Sequence, residues 1–160
     1  SHIYKTLRPL VTKKSYVFVA FDREEVGLQG SRHMAKAMSK PAIDQTCAMV
    51  NFDSFGMAAP MALKNASSPK LLKLASDLAD ESKFKFLAVE IEGASSDSAS
   101  FRERKIPAIT LSGLAGNWQQ ILHTSDDKIS KVNIDSVYMG YRFGLIYLAQ
   151  LDSTPCLDHR

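Results

Sequence analysis

Cysteine is scarce in this chain. Cys47 and Cys156 are the two in 160 residues, too few for a disulfide framework and without the Cys-x-x-Cys spacing of a metal site. Cys47 lies inside the apolar run CAMVNF and reads as a buried thiol. No apolar run approaches the roughly 18 residues that suggest a membrane span. Residues 1–10 are polar and mixed, without the pattern of a signal peptide. Charge of one sign is also lacking. The net charge is +3, and no run of Lys and Arg carries interleaved aromatics, which argues against a nucleic-acid partner. The densest charge clusters, Lys13-Lys14 and residues 102–105, read as a solvated turn and a solvated helix face. Internal repeats and low-complexity segments are absent. What remains is 45% hydrophobic and 23% charged, the profile of a globular protein with room for one core and not for two.

Alternating strand and helix signals fill that length. Ile3, Leu7, Leu10 and Val11 follow helical spacing, and residues 13–15 break it. Residues 16–21 (YVFVAF) predict a strand buried on both faces, followed by a helix over 27–38. Residues 47–52 predict a second buried strand. Ser67, Ser68 and Pro69 signal a helix start, and Leu71, Leu74, Ala75, Leu78 and Ala79 continue it as an apolar stripe. Residues 86–91 read as a strand and 100–104 as a short helix. Residues 106–111 form another strand, with Pro107 pushing it toward an edge or a strand start. A closing helix over 134–151 places Ile134, Val137, Tyr141, Leu145 and Leu148 on one face. The order predicts an α/β fold, a three-layer α/β/α sandwich around a mostly parallel sheet.

In such sheets ligands gather beyond the carboxyl ends of the strands. Residues 16–21 run into Asp22-Arg23-Glu24-Glu25, residues 47–52 into Asp53, and residues 106–111 into a loop holding His123. Carboxylate, carboxylate and imidazole thus head for one edge of the sheet. These are the ligands zinc takes when cysteine does not hold it. Adjacent glutamates can divide labour, one binding metal and the other taking a proton from activated water. Each residue also has an ordinary explanation. A Glu-Glu pair suits a solvated helix start, Asp53 a turn, and His123 a surface or cap. His33, one turn into a helix, reads as structural or as part of the rim.

As an ordered set these segments resemble a family. FVAFDREEVGLQGSRHMA, VNFDSFG, SDSASFRERKIPAITL and ILHTSDD resemble, in order, motifs of the zinc exopeptidases that include secreted bacterial leucyl-type aminopeptidases, glutamate carboxypeptidase and the glutaminyl cyclases. The resemblance implies Glu24 as general base and Glu25, Asp53 and His123 as zinc ligands. It places Asp97 near the site, with Asp97 and Ser98 as outer-sphere or substrate-binding residues. Ser98 stands where the family often has His. The family's first metal segment, a His-x-Asp, and its bridging Asp have no counterpart before Tyr16, and His2 is in the wrong context.

The resemblance therefore implies a partial catalytic domain over residues 1–160, truncated on its amino-terminal side. Two zinc ions are expected in the intact enzyme, with partial or no occupancy here, and this piece is expected to be inactive alone. Peptides are the expected substrate, and self-association through an uncovered sheet edge is a further expectation. The compartment is open, although family members are often exported. Gly27 follows the glutamates almost at once and Leu122 precedes His123. Glutaminyl cyclases have a long insert and a Trp there, so an aminopeptidase-like activity is favoured over acyl transfer. A non-catalytic peptidase-like binding scaffold is the alternative from another class.

Overall fold

A computed structural model describes residues 1–93 and 95–160. Its central feature is the strand β4 (Ala108–Ser112), buried at every position. Side chains alternate across a strand. Ile109 and Leu111 enter one core with Ala62, Leu71, Ala75, Phe143 and Tyr147. Ala108 enters another with Ala35, Ile43, Phe101 and Ile106. A strand between two cores needs apolar or small residues on both faces, which AITLS supplies.

The sheet order is β1-β4-β2-β3, with β1 at Met49–Phe52, β2 at Met61–Leu63 and β3 at Leu87–Val89. β1 pairs parallel to β4 with Met49 opposite Ala108, and β2 pairs parallel to β3. β2 and β4 are antiparallel. The helices are α1 (His2–Leu7), α2 (Gln29–Ala37), α3 (Lys40–Gln45), α4 (Pro69–Glu81), α5 (Asp97–Arg102) and α6 (Ile134–Ser153). α4 and α6 pack against the first core, and α2, α3 and α5 against the second. The result is the expected α/β/α sandwich, with two of three strand pairings parallel. Pro107 immediately precedes β4, and its carbonyl accepts from the Met49 amide. Strands β2 and helix α3 are too short to leave a periodic signal.

Four expectations need correction. Residues 16–21 join no ladder, and Val17 and Val19 are 79% and 47% exposed. A run buried on both faces needs neighbours on either side, and among the described residues no strand pairs with this one. It is held by its ends: the Tyr16 hydroxyl donates to the Leu148 carbonyl, and the Phe21 ring meets Phe101 at 5.9 Å. α1 stops at Leu7, leaving Leu10 and Val11 exposed.

α6 buries a different face from the one its apolar spacing suggests. Ser136, Gly140, Phe143, Gly144, Tyr147, Leu148 and Leu151 are inside, whereas Ile134 is 75% exposed. Small residues cause the rotation. A Cβ on Gly140 would collide with the Phe55 ring, so this position lets the helix approach the sheet's edge. Hydrophobicity alone passes over such positions. The helix start is capped by Asn133, whose Oδ1 accepts from the Asp135 and Ser136 amides at 2.8 and 3.2 Å.

Cys47 is not a lone thiol, for it is bridged to Cys156 with a Cα separation of 4.7 Å. After α6 the chain turns back through a short 3-10 turn, Cys156–His159. Arg160 Nη2 then donates to the carbonyls of Ile43, Asp44 and Thr46. These contacts seat the chain's end on the approach to β1, where Cys47 lies. A pairing across 109 positions leaves no local trace.

Candidate active site

The glutamates sit in a loop folded tightly onto the start of α2. The Gly27 and Leu28 amides both donate to the Glu24 carbonyl, and the Gly30 amide to the Asp22 carbonyl at 3.0 Å. A Cβ at Gly30 would lie 2.7 Å from the Asp22 carbonyl oxygen. Only glycine permits that approach, so the glycine of GLQGS fixes where the glutamates stand. Asp53 follows β1 directly. Its amide continues the ladder to the Leu111 carbonyl at 3.0 Å, and its Oδ1 accepts from Ser54 Oγ at 2.9 Å. The ends of β1 and β4 lie at the same edge because the two strands are parallel. His123 comes from the loop beyond β4.

His123 Nε2 lies 3.1 and 3.2 Å from the two carboxylate oxygens of Glu25. An ionised carboxylate only accepts, so the imidazole N–H donates. Glu24 is half-buried beside this pair. Burial first, then the charges of Glu25, Asp53 and Asp97, push its carboxyl above the usual range, while His123 pulls the other way. Asp97, the first residue of α5, is 7% exposed, and its Oδ1 has no hydrogen-bond partner. Burial raises its pKa most, a nearby Ser31 hydroxyl opposes that, and Asp53 adds to it. The two raised carboxyls belong to one cluster of mutually repelling carboxylates.

Backbone strain marks the same place. Six described non-glycine residues have positive φ, and three of them are Arg23, Ser54 and His123. They stand beside Glu24, beside Asp53 and at the imidazole itself. Unfavourable backbone conformations that gather at one spot persist where the surroundings hold functional groups in place.

Glu24, Glu25, Asp53, Asp97 and His123 are thus electrostatic neighbours. Ser98 is elsewhere in kind. It is fully buried, donates to the Ala66 carbonyl at 2.8 Å, and adjoins the hydroxyls of Ser96 and Thr110. The serine-rich stretch forms a buried hydroxyl cluster at the base of α5. Ser31 was the residue sequence reasoning passed over. Its hydroxyl joins Ser100 at 2.9 Å and tempers Asp97, and the only sequence signal was its place at the end of the glutamate motif. His33 is exposed and lines an open cavity of about 380 Å³ with Val26, Gly27 and Arg32, on the rim of the glutamate loop.

The chemistry of this set bears on zinc. Carboxylate oxygen and imidazole Nε2 are suitable donors, and Glu25 and His123 converge on one point. Zinc takes four donors, and among the described residues no group of three His, Cys, Asp or Glu is arranged to hold a metal ion. The described residues therefore fit part of a zinc shell and not a closed one.

The fold has solved counterparts. It is similar to BSAP, a zinc aminopeptidase from Bacillus subtilis, with a TM-score of 0.81 and 18% identity, covering 98% of this chain and 41% of that one. It is similar to the LapA aminopeptidase of Legionella pneumophila, with a TM-score of 0.72 and 22% identity, covering 84% and 38%. A glutaminyl cyclase from an Acidobacteriales bacterium gives a TM-score of 0.66 at 17% identity, covering 78% and 46%. The chain thus spans about two-fifths of the length of BSAP. No curated protein sequence matches it. A sequence model described as Peptidase family M28 matches residues 2–140. With that match over most of its length, and with the α/β fold of zinc aminopeptidases around its glutamate pair, the chain belongs to Peptidase family M28.

Proposed function

We propose that this chain is the carboxyl-terminal part of the catalytic domain of a zinc-dependent aminopeptidase, hydrolysing the peptide bond after a free amino-terminal residue. The observation that carries this reading is the convergence of Glu25 and His123, with Glu24 beside them in a strained, carboxylate-rich edge of the sheet. Glu25 and His123 would hold one zinc, and Asp53 a neighbouring one. The remaining ligands would come from the part of the catalytic domain that this chain does not span. Zinc, when bound, lowers the pKa of a water toward about 7 and polarises the scissile carbonyl.

Glu24 then has a defined task. Its carboxylate takes the proton from the attacking water and passes it to the leaving amine. Asp53 and Asp97 keep the surroundings anionic, which suits the ammonium of a free amino terminus. Asp97 also presents a buried oxygen with no partner, a group that a substrate ammonium or a metal shell would satisfy. Export is proposed as well, since the Cys47–Cys156 bridge suits an oxidising compartment.

The test is hydrolysis of leucine p-nitroanilide by the protein with its full catalytic domain. Activity lost to a chelator, restored by zinc and absent on the N-acetylated substrate is expected. Chelator-resistant turnover, or equal cleavage of the acetylated substrate, would overturn the proposal.

A further inference from the structure

The amino end of β4 carries a second polar feature. An open cavity of about 360 Å³ is lined by Lys70, Arg102, Lys105, His159 and Arg160, and no Asp or Glu lines it. The glutamates lie near the strand's other end. Five residues at about 3.3 Å each separate the two places by roughly 15 Å, so this cavity is not an extension of the peptidase site.

Lys70 and Lys105 form no ion pair among the described residues. Arg160 is fixed in place by the carbonyls of Ile43, Asp44 and Thr46, and Arg102 by the Asn65 carbonyl. Carbonyls orient a guanidinium without cancelling its charge. The ends of two arginines are thus held rigidly where an anion would meet them, while two lysines remain free to close on it.

His159 is the most telling residue. It is 4% exposed, yet it lines the cavity. Thr154 Oγ1 donates to the Gln150 carbonyl, so at 2.9 Å it accepts from His159 Nε2–H. Burial first, then the nearby Lys14 and Lys70 charges, hold the imidazole below its usual pKa, with Asp158 opposing. The ring thus sits in the cavity wall among Lys14, Lys70 and Asp158, where it senses charge that enters.

The first turn of α4 adds to this. Ser68 begins that helix, but its hydroxyl accepts from the Ala108 amide at 3.0 Å and does not cap the helix. Pro69, Ile106 and Pro107 supply an apolar side to the cavity.

We propose that this cavity binds a phosphomonoester, its phosphate held by Lys70, Lys105 and Arg102 and its organic part resting on Pro69 and Pro107, with the His159 ring in the wall beside it. The several positive charges favour a dianion over a single carboxylate, and the volume exceeds what a bare phosphate fills.

The test uses the full protein with labelled histidine rings, titrated with inorganic phosphate and with phenyl phosphate at constant ionic strength. The His159 resonance should move saturably with both, and phenyl phosphate should bind more tightly. In Lys70→Gln/Lys105→Gln, affinity should fall about tenfold or more, with the His159 resonance still dispersed and peptidase turnover unchanged. Lys128→Gln, remote from the cavity, should bind as wild type does. Equal shifts with sodium chloride, an unmoved His159, or undiminished affinity in the double variant would overturn the proposal.

Discussion

Glu25 and His123, 98 positions apart, meet through carboxylate oxygens and Nε2 at 3.1–3.2 Å. Both side chains are about two-thirds exposed, so the contact by itself contributes little to stability. Its value lies in aim: two donors of the type zinc prefers point at each other from a loop before α2 and a loop after β4.

His123→Ala removes one of these donors. In the protein with its full catalytic domain, zinc content measured by atomic emission should fall, while the melting temperature of the metal-free form should change little. Unaltered zinc content would take His123 off the ligand set.

Glu24→Gln keeps shape and removes the carboxylate proposed as the base. Zinc content should stay near wild type, and kcat should drop by about 10²–10⁴-fold, the range that general base catalysis supplies. Steady-state kinetics on an aminoacyl nitroanilide measures this. Retained turnover would assign the proton transfer to another group.

Asp152 ties residues 13 and 14 to the end of α6. Its carboxylate accepts from the Lys13 and Lys14 amides at 3.0 and 2.8 Å, and Lys14 Nζ returns to the Asp152 carbonyl at 2.8 Å. The amide bond from Lys13 first, with that of Lys14 and both lysine charges adding, holds its carboxyl below the usual range. The stabilisation is therefore complete above the unfolded carboxylate value of about 3.9. It is lost as pH falls through the lower folded value. Asp152→Asn should melt lower than wild type at pH 7, and the two curves should converge in strong acid. A gap independent of pH would show that the charge is not the cause.

Cys156→Ser opens a link across 109 positions. Cross-links of that span restrict the unfolded chain, and their removal costs about 2–5 kcal/mol. Thermal unfolding should show this loss without reductant, and excess dithiothreitol should lower wild type toward the variant. No difference between oxidised wild type and variant would mean that the bridge does not hold in solution.

Local features of the sequence carried far into the site. The glutamate pair and the glycines after it could be read directly, because each works within a few residues of its neighbours. The strand cores of β1, β3 and β4 and the helix α4 were legible for the same reason: periodicity and start signals are short-range. Asp53 was visible as a candidate at a strand end, and Asp97 only through the order of the family-like segments.

Relations across the fold were decided elsewhere. Nothing near Glu25 names His123 as its partner, and nothing near Cys47 names Cys156, because such pairs are made by topology over about a hundred residues. Residues 16–21 have the composition of a buried strand, but pairing requires neighbours that composition does not supply. The buried face of α6 follows Gly140 and Gly144, which fit beneath the Phe55 and Phe52 rings, a matter of shape and not of hydrophobicity. The sequence by itself determined which groups can do acid–base and metal chemistry. The tertiary structure decided which of them share a space, since only packing sets distance, burial and the pKa shifts that follow.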